Sequence, residues 1–137
     1  MPDQTPAELL RAAAAQLRDA ATAAEADAPS PWHSQPRHDS DPTSTVSLWA
    51  AHSPLLHGAA GTRGRTSFVT GPVGRYMALL HPGVGAALAD WLDTAADMAD
   101  AYPEMAHDHD RPACDDYACD VMGRAVDLAR QLLGVPS

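Results

Sequence analysis

The chain has no lysine, no asparagine and no isoleucine, and only one phenylalanine and two cysteines in 137 residues. Without isoleucine, the Leu, Val and Phe residues number 21, while alanine alone supplies 28. That scarcity excludes a large aliphatic core and requires a thin one, built by helices that approach closely through Ala. Two cysteines exclude a disulfide scaffold. No apolar run approaches the roughly 20 residues of a membrane span, and residues 1–25 lack the basic start and unbroken apolar stretch of a secretory signal. The chain therefore reads as cytosolic, with no membrane partner, and its cysteines as thiols or metal ligands before a disulfide.

The missing lysine leaves nine arginines as the only fixed cations against 18 carboxylates, a net charge of −9. The imbalance is local. Residues 90–137 carry eleven Asp or Glu against Arg111, Arg124 and Arg130, whereas residues 37–89 carry four Arg against Asp39 and Asp41. An acidic C-terminal third repels phosphate, so nucleic acid is an unlikely partner.

Three helices are expected. Thr5-Pro6-Ala7-Glu8 reads as a capping box with proline at the first helical position. Leu10, Ala13, Ala14, Leu17, Ala21 and Ala24 then recur at three- and four-residue steps, which predicts a helix over 6–26. Residues 29–72 form a Pro/Gly-rich insert. Strand-like composition recurs near 45–50 and 65–70, so a small antiparallel element is expected there, with Trp49 and Phe68 inside it and residues 33–43 as a mobile linker. Helix returns over 73–102, with a restart at Pro82. There Val84, Leu88, Trp91, Leu92, Ala95, Met98, Ala99 and Tyr102 form the apolar stripe, opposite Asp90, Asp93, Asp97 and Asp100. An acidic His/Cys linker over 103–115 precedes a last helix over 116–133, which buries Ala118, Val121, Met122, Ala125, Ala129 and Leu132 and is capped by Gly134. The fold class is α+β, mostly α: three main helices with a small antiparallel β element inserted after the first, in a single domain 1–137. Trp91, Leu88, Leu92, Met98, Met122 and Leu132 are the expected core.

One stretch has metal-ligand chemistry. His107, His109, Cys114 and Cys119 stand in an H-x-H-x4-C-x4-C pattern, and Cys2His2 is a common closed set for structural zinc. The spacing is not that of a standard finger, and the competing reading is a solvated linker with a buried Cys119. His33, His38, His52 and His57 lie in the Pro-rich insert with nothing to position them for catalysis. His81, before Pro82, suits a helix start. Nucleophile elbow, phosphate-cradling loop and metalloprotease helix are all missing from the sequence.

The segment Arg75-Tyr76-Met77-Ala78-Leu79-Leu80-His81-Pro82-Gly83-Val84, continuing to Leu92, resembles small uncharacterised proteins of actinobacteria and their phages. These have an Ala-rich first helix, a Pro-Trp element like Pro31-Trp32, and a final helix like residues 125–130. The absent Lys, Asn and Ile share AT-rich codons, in keeping with a GC-rich genome of that kind. The resemblance implies the architecture and a phage or prophage origin, and brings no catalytic residues. The sequence thus points to a non-enzymatic interaction or regulatory module that presents the Asp90, Asp93, Asp97 and Asp100 face to a basic protein. The alternative is a small metal-dependent enzyme using the His107/His109 region. A thin core also favours association, either as a homodimer or with another protein.

Overall fold

In the computed structural model, residues 4–36, 45–51, 53–55, 69–106, 114 and 116–135 are described. The element order is α1 (Pro6–Asp27), β1 (Trp32–Pro36), β2 (Val46–Ala50), β3 (Ser53–Pro54), α2 (Gly71–Leu79), α3 (Pro82–Ala101), α4 (Pro103–Ala106) and α5 (Tyr117–Leu133). This is the expected α+β, mostly α class, with a small antiparallel sheet after the first helix. The contacts divide the chain into two units, residues 1–19 with 86–137 and residues 20–85.

The helical unit is held by the packing of α1, α3 and α5. Both reciprocal bonds of the capping box form: the Thr5 amide donates to Glu8 Oε2 at 2.8 Å, and the Glu8 amide donates to Thr5 Oγ1 at 3.2 Å. At the start of α5, Asp116 is the N-cap and its carboxylate accepts from the Ala118 amide at 2.9 Å. At the other end Gly134 takes the left-handed conformation at φ 67°, which glycine adopts without a Cβ penalty. Gln16 of α1 donates through Nε2 to the Leu132 carbonyl, one of the acceptors a helix end leaves unpaired. Ten of the fifteen residues in the buried cluster are alanines; the others are Leu9, Leu10, Leu92, Met122 and Val126.

That composition corrects the expected core. Leu92 and Met122 are buried, and Leu132 packs partly buried against the cluster. Leu88 is half-buried, but Trp91 is 39% exposed and Met98 41% exposed. Val121 and Tyr102 also face outward. The buried centre of α3 is Ala89, Leu92, Ala95, Ala96 and Ala99. The stripe read from the sequence spanned two faces of one helix. Where helices meet through Ala, the small residues take the line of closest approach and bulky neighbours are displaced to its flank.

In the second unit, β2 is the middle strand of the order β1-β2-β3, and both pairings are antiparallel. Trp32 stands opposite Ala50, Ser34 opposite Leu48 and Pro36 opposite Val46. The expected strand near 45–50 is present. Of the stretch near 65–70, only Val69 and Thr70 are described, and Val69 forms an isolated bridge with Val46. Phe68 lies outside the described residues. The linker expected over 33–43 is corrected at its start, because residues 33–36 belong to β1. Proline is tolerated there because β1 is an edge strand and Pro36 its last residue. Likewise the linker expected over 103–115 begins with the helical turn α4, which Pro103 can start because it has no amide to leave unpaired. Ser47 is buried and satisfied: its hydroxyl donates to the Gln35 carbonyl and accepts from Trp49 Nε1 at 2.7 Å. Trp49 is accordingly half-buried, its indole tied to a strand neighbour.

Candidate functional site

The acidic face of α3 is bridged by arginines of α1. Arg11 meets Asp97 at 2.9 Å and Asp100 at 2.7 Å, while Arg18 meets Asp90 at 2.9 Å and Asp93 at 2.8 Å. The hydrogen bonds it donates to Asp100, then Asp97, push the Arg11 guanidinium up from its ordinary value, and those to Asp90 and Asp93 do the same for Arg18. Arg11 and Arg18 are seven residues apart, two helical turns, so they meet carboxylate pairs spaced by the same seven residues. The face read as an open presenting surface is thus engaged within its own unit. Two guanidiniums against four carboxylates still leave it net negative, and Asp90 and Asp97 keep most of their side-chain surface in water.

The same helix also lines an apolar groove of about 170 Å³, formed on α3 by Trp91, Thr94, Ala95 and Met98 and on α5 by Ala118, Val121, Met122 and Ala125. Thr94 turns its hydroxyl away into the Asp90 carbonyl at 3.0 Å, which leaves the lining almost wholly apolar. The sequence carried a signal for this groove. Trp91 and Met98 are seven residues apart, and Tyr102 lies one turn further, a second line beside the alanine line.

Of the proposed zinc set, His107 and His109 lie outside the described residues, as do His38, His52 and His57. His33 is on β1 and exposed. Cys119 is buried in the first turn of α5 and Cys114 is half-buried in the segment before it. Burial pushes the Cys119 thiol up from its ordinary value, and the bond with Cys114 and nearby Asp116 and Glu104 add to this. Among the described residues no group of three His, Cys, Asp or Glu is placed to hold a metal ion.

A polar cluster that the sequence did not reveal lies in the second unit. Ser30 Oγ donates to Glu25 Oε2 at 2.6 Å and accepts from the Gly83 amide at 3.2 Å, with His81 Nδ1 3.3 Å away. The Ser30 amide also donates to Glu25, at 2.9 Å. Because the hydroxyl proton is given to Glu25, His81 is the donor, and Ser30 is a cap for the start of α3 rather than a nucleophile with a base. Ser30 is separated from Gly83 by more than fifty residues, too far for any local pattern to announce it. The Ser30 hydroxyl, then its amide and the charge of His81, lower the Glu25 carboxyl below its ordinary value. A lowered folded value means that the stabilisation is present above the unfolded carboxylate range and is lost as pH falls through the folded value. The melting-temperature gap between the natural chain and Glu25→Gln is therefore expected to be open near neutral pH and to close at acid pH, below the ordinary carboxylate range. Ser30→Ala should cost about 1 kcal/mol in denaturant titration, the usual worth of a helix cap.

Among the described residues no helix is long and apolar enough to cross a membrane. No protein-family model, curated protein or solved structure matches the chain.

Proposed function

We propose that the chain is a non-enzymatic protein-interaction module whose partner presents a basic amphipathic helix. The observation that carries this reading is the apolar groove walled by Trp91, Met98 and Val121 on the helix that also carries Asp90, Asp93, Asp97 and Asp100. An apolar groove on an acidic helix suits a helix whose apolar face is flanked by Arg or Lys. Charge selects this occupant over a second copy of the chain. Among the described residues of the helical unit ten carboxylates stand against four arginines, so two such faces repel each other. Tryptophan in the wall of an apolar groove is also a residue type often dominant in binding.

Calorimetric titration with a synthetic Leu/Lys amphipathic peptide and its Leu/Glu counterpart tests the reading. The basic peptide is expected to bind at least about tenfold more tightly than the acidic one, and less tightly as salt is raised. Trp91→Ala should weaken binding by about ten- to thirtyfold, roughly 1.5–2 kcal/mol. Equal binding of both peptides, or binding that ignores Trp91→Ala, overturns the proposal. So does a concentration-dependent dimer that Trp91→Ala dissolves, since it assigns the groove to a second copy.

A further inference from the structure

A second cavity, sharing no residue with the Trp91 groove, lies within residues 20–85, between the end of α1, the sheet and α2. Its volume is about 180 Å³. Trp32 of β1 stands opposite Ala50, two residues along β2 from Leu48, so the indole and the buried Leu48 share one face of the sheet. Both line the cavity, with Leu55 and Met77. Leu55 is fixed by its amide, which donates to the Leu48 carbonyl at 2.8 Å. The indole is fixed too, since Trp32 Nε1 donates to the Ala28 carbonyl at 2.8 Å, which spends its polar group and leaves an apolar wall. Asp27 is the one charged residue of the lining. Among the described residues its carboxylate has no hydrogen bond or ion pair, whereas nearby Glu25 is taken by Ser30. It is also the last residue of α1, where the helix dipole is negative and the last turn holds no basic residue. A carboxylate there works against its own helix, and the group missing beside it is a cation.

We propose that this cavity binds a small organic amine with a ring-sized apolar body, its ammonium held at Asp27 and its ring among Trp32, Leu48 and Met77. Size sets the body: an apolar cavity of about 150 Å³ takes up benzene, so this one accommodates a single ring with a short amine arm. Charge sets the head. A carboxylate at the negative end of a helix, in a lining that includes an indole, favours a cation over a neutral or anionic group of the same shape. Met77, unbranched and polarizable, can adjust to the outline of the ring. Because Asp27 is exposed, its attraction is partly screened by water, and it contributes selectivity while the apolar walls supply most of the affinity.

The test is titration of the full chain with benzylamine, benzyl alcohol and benzoate, followed by the NMR signal of the Trp32 indole N–H. Benzylamine is expected to give a saturable shift in the millimolar range, with about fivefold or greater preference over benzyl alcohol and benzoate weakest. Asp27→Asn should weaken benzylamine by about threefold or more and leave benzyl alcohol within about twofold. The same change should leave the melting temperature unchanged or raise it, since it removes a charge that the helix end disfavours. Ala24→Leu, in the helical wall of the cavity, should fill the space and abolish binding of both amine and alcohol, with circular dichroism confirming that the helix is kept. No saturable shift with benzylamine, equal affinity for amine and alcohol, or amine binding that ignores either variant overturns the proposal. So does a marked loss of stability in Asp27→Asn, which would assign the carboxylate to the fold.

Discussion

Leu92→Ala is expected to lower the stability of the helical unit by about 3–5 kcal/mol, because the cavity it opens has little around it that can close in. Among the described residues Leu92 is fully buried in a cluster with four other buried residues larger than alanine, and longer side chains such as Leu17 and Leu132 pack against it only partly buried. A void beside long, flexible side chains is partly filled when they change rotamer. Alanines have no rotamer to change, so the lost contacts stay lost. For a domain whose whole stability is on the order of 5–15 kcal/mol, a loss of that size removes about a fifth of it or more. Urea denaturation followed by helical circular dichroism measures this directly. Leu92→Met, which nearly conserves volume, should cost less than about 1.5 kcal/mol. If Leu92→Ala cost under about 1 kcal/mol, the alanine-packed cluster would not be the core.

Gly74→Ala should be destabilising by about 1–3 kcal/mol, against the trend for this change in a helix. In an exposed helix interior the substitution gains about 1 kcal/mol, since glycine has the greater backbone entropy to lose. Here α2 lies against the sheet, and a Cβ on Gly74 would collide with Val46 Cγ2 and stand 3.0 Å from Val69 Cγ2. Neither valine is able to retreat cheaply. The Val46 amide donates to the Val69 carbonyl at 2.8 Å and the Val69 amide returns to Val46 at 3.0 Å, while Val46 also stands opposite Pro36. Val46→Ala should be destabilising alone yet remove most of the penalty of Gly74→Ala, a coupling that a double-mutant cycle reads as departure from additivity. Additive losses would show that the helix and strand do not meet at this point.

What the sequence by itself determined is everything governed by neighbours within a turn or two. The Thr5–Glu8 box, proline at the first position of α1 and α3, the Asp116 cap and the Gly134 stop each depend on groups within a few residues of one another, and each appears where local chemistry requires it. The alanine excess likewise dictated a helical class and a thin core. Tertiary structure decided the matters that depend on distant partners. Periodicity marks a stripe as apolar but does not say which edge of it another helix will cover, so Trp91, Met98 and Val121 read as core and are instead the walls of a groove. A row of aspartates reads as an open face for a basic partner until Arg11 and Arg18, more than seventy residues away, are seen to bridge it. Ser30 becomes a cap for α3 only once folding brings Gly83 to its hydroxyl. The physical reason is common to all three: helix starts and stops are set by short-range hydrogen bonds, whereas the occupant of each helix face is set by which other chain segments gain most by covering it.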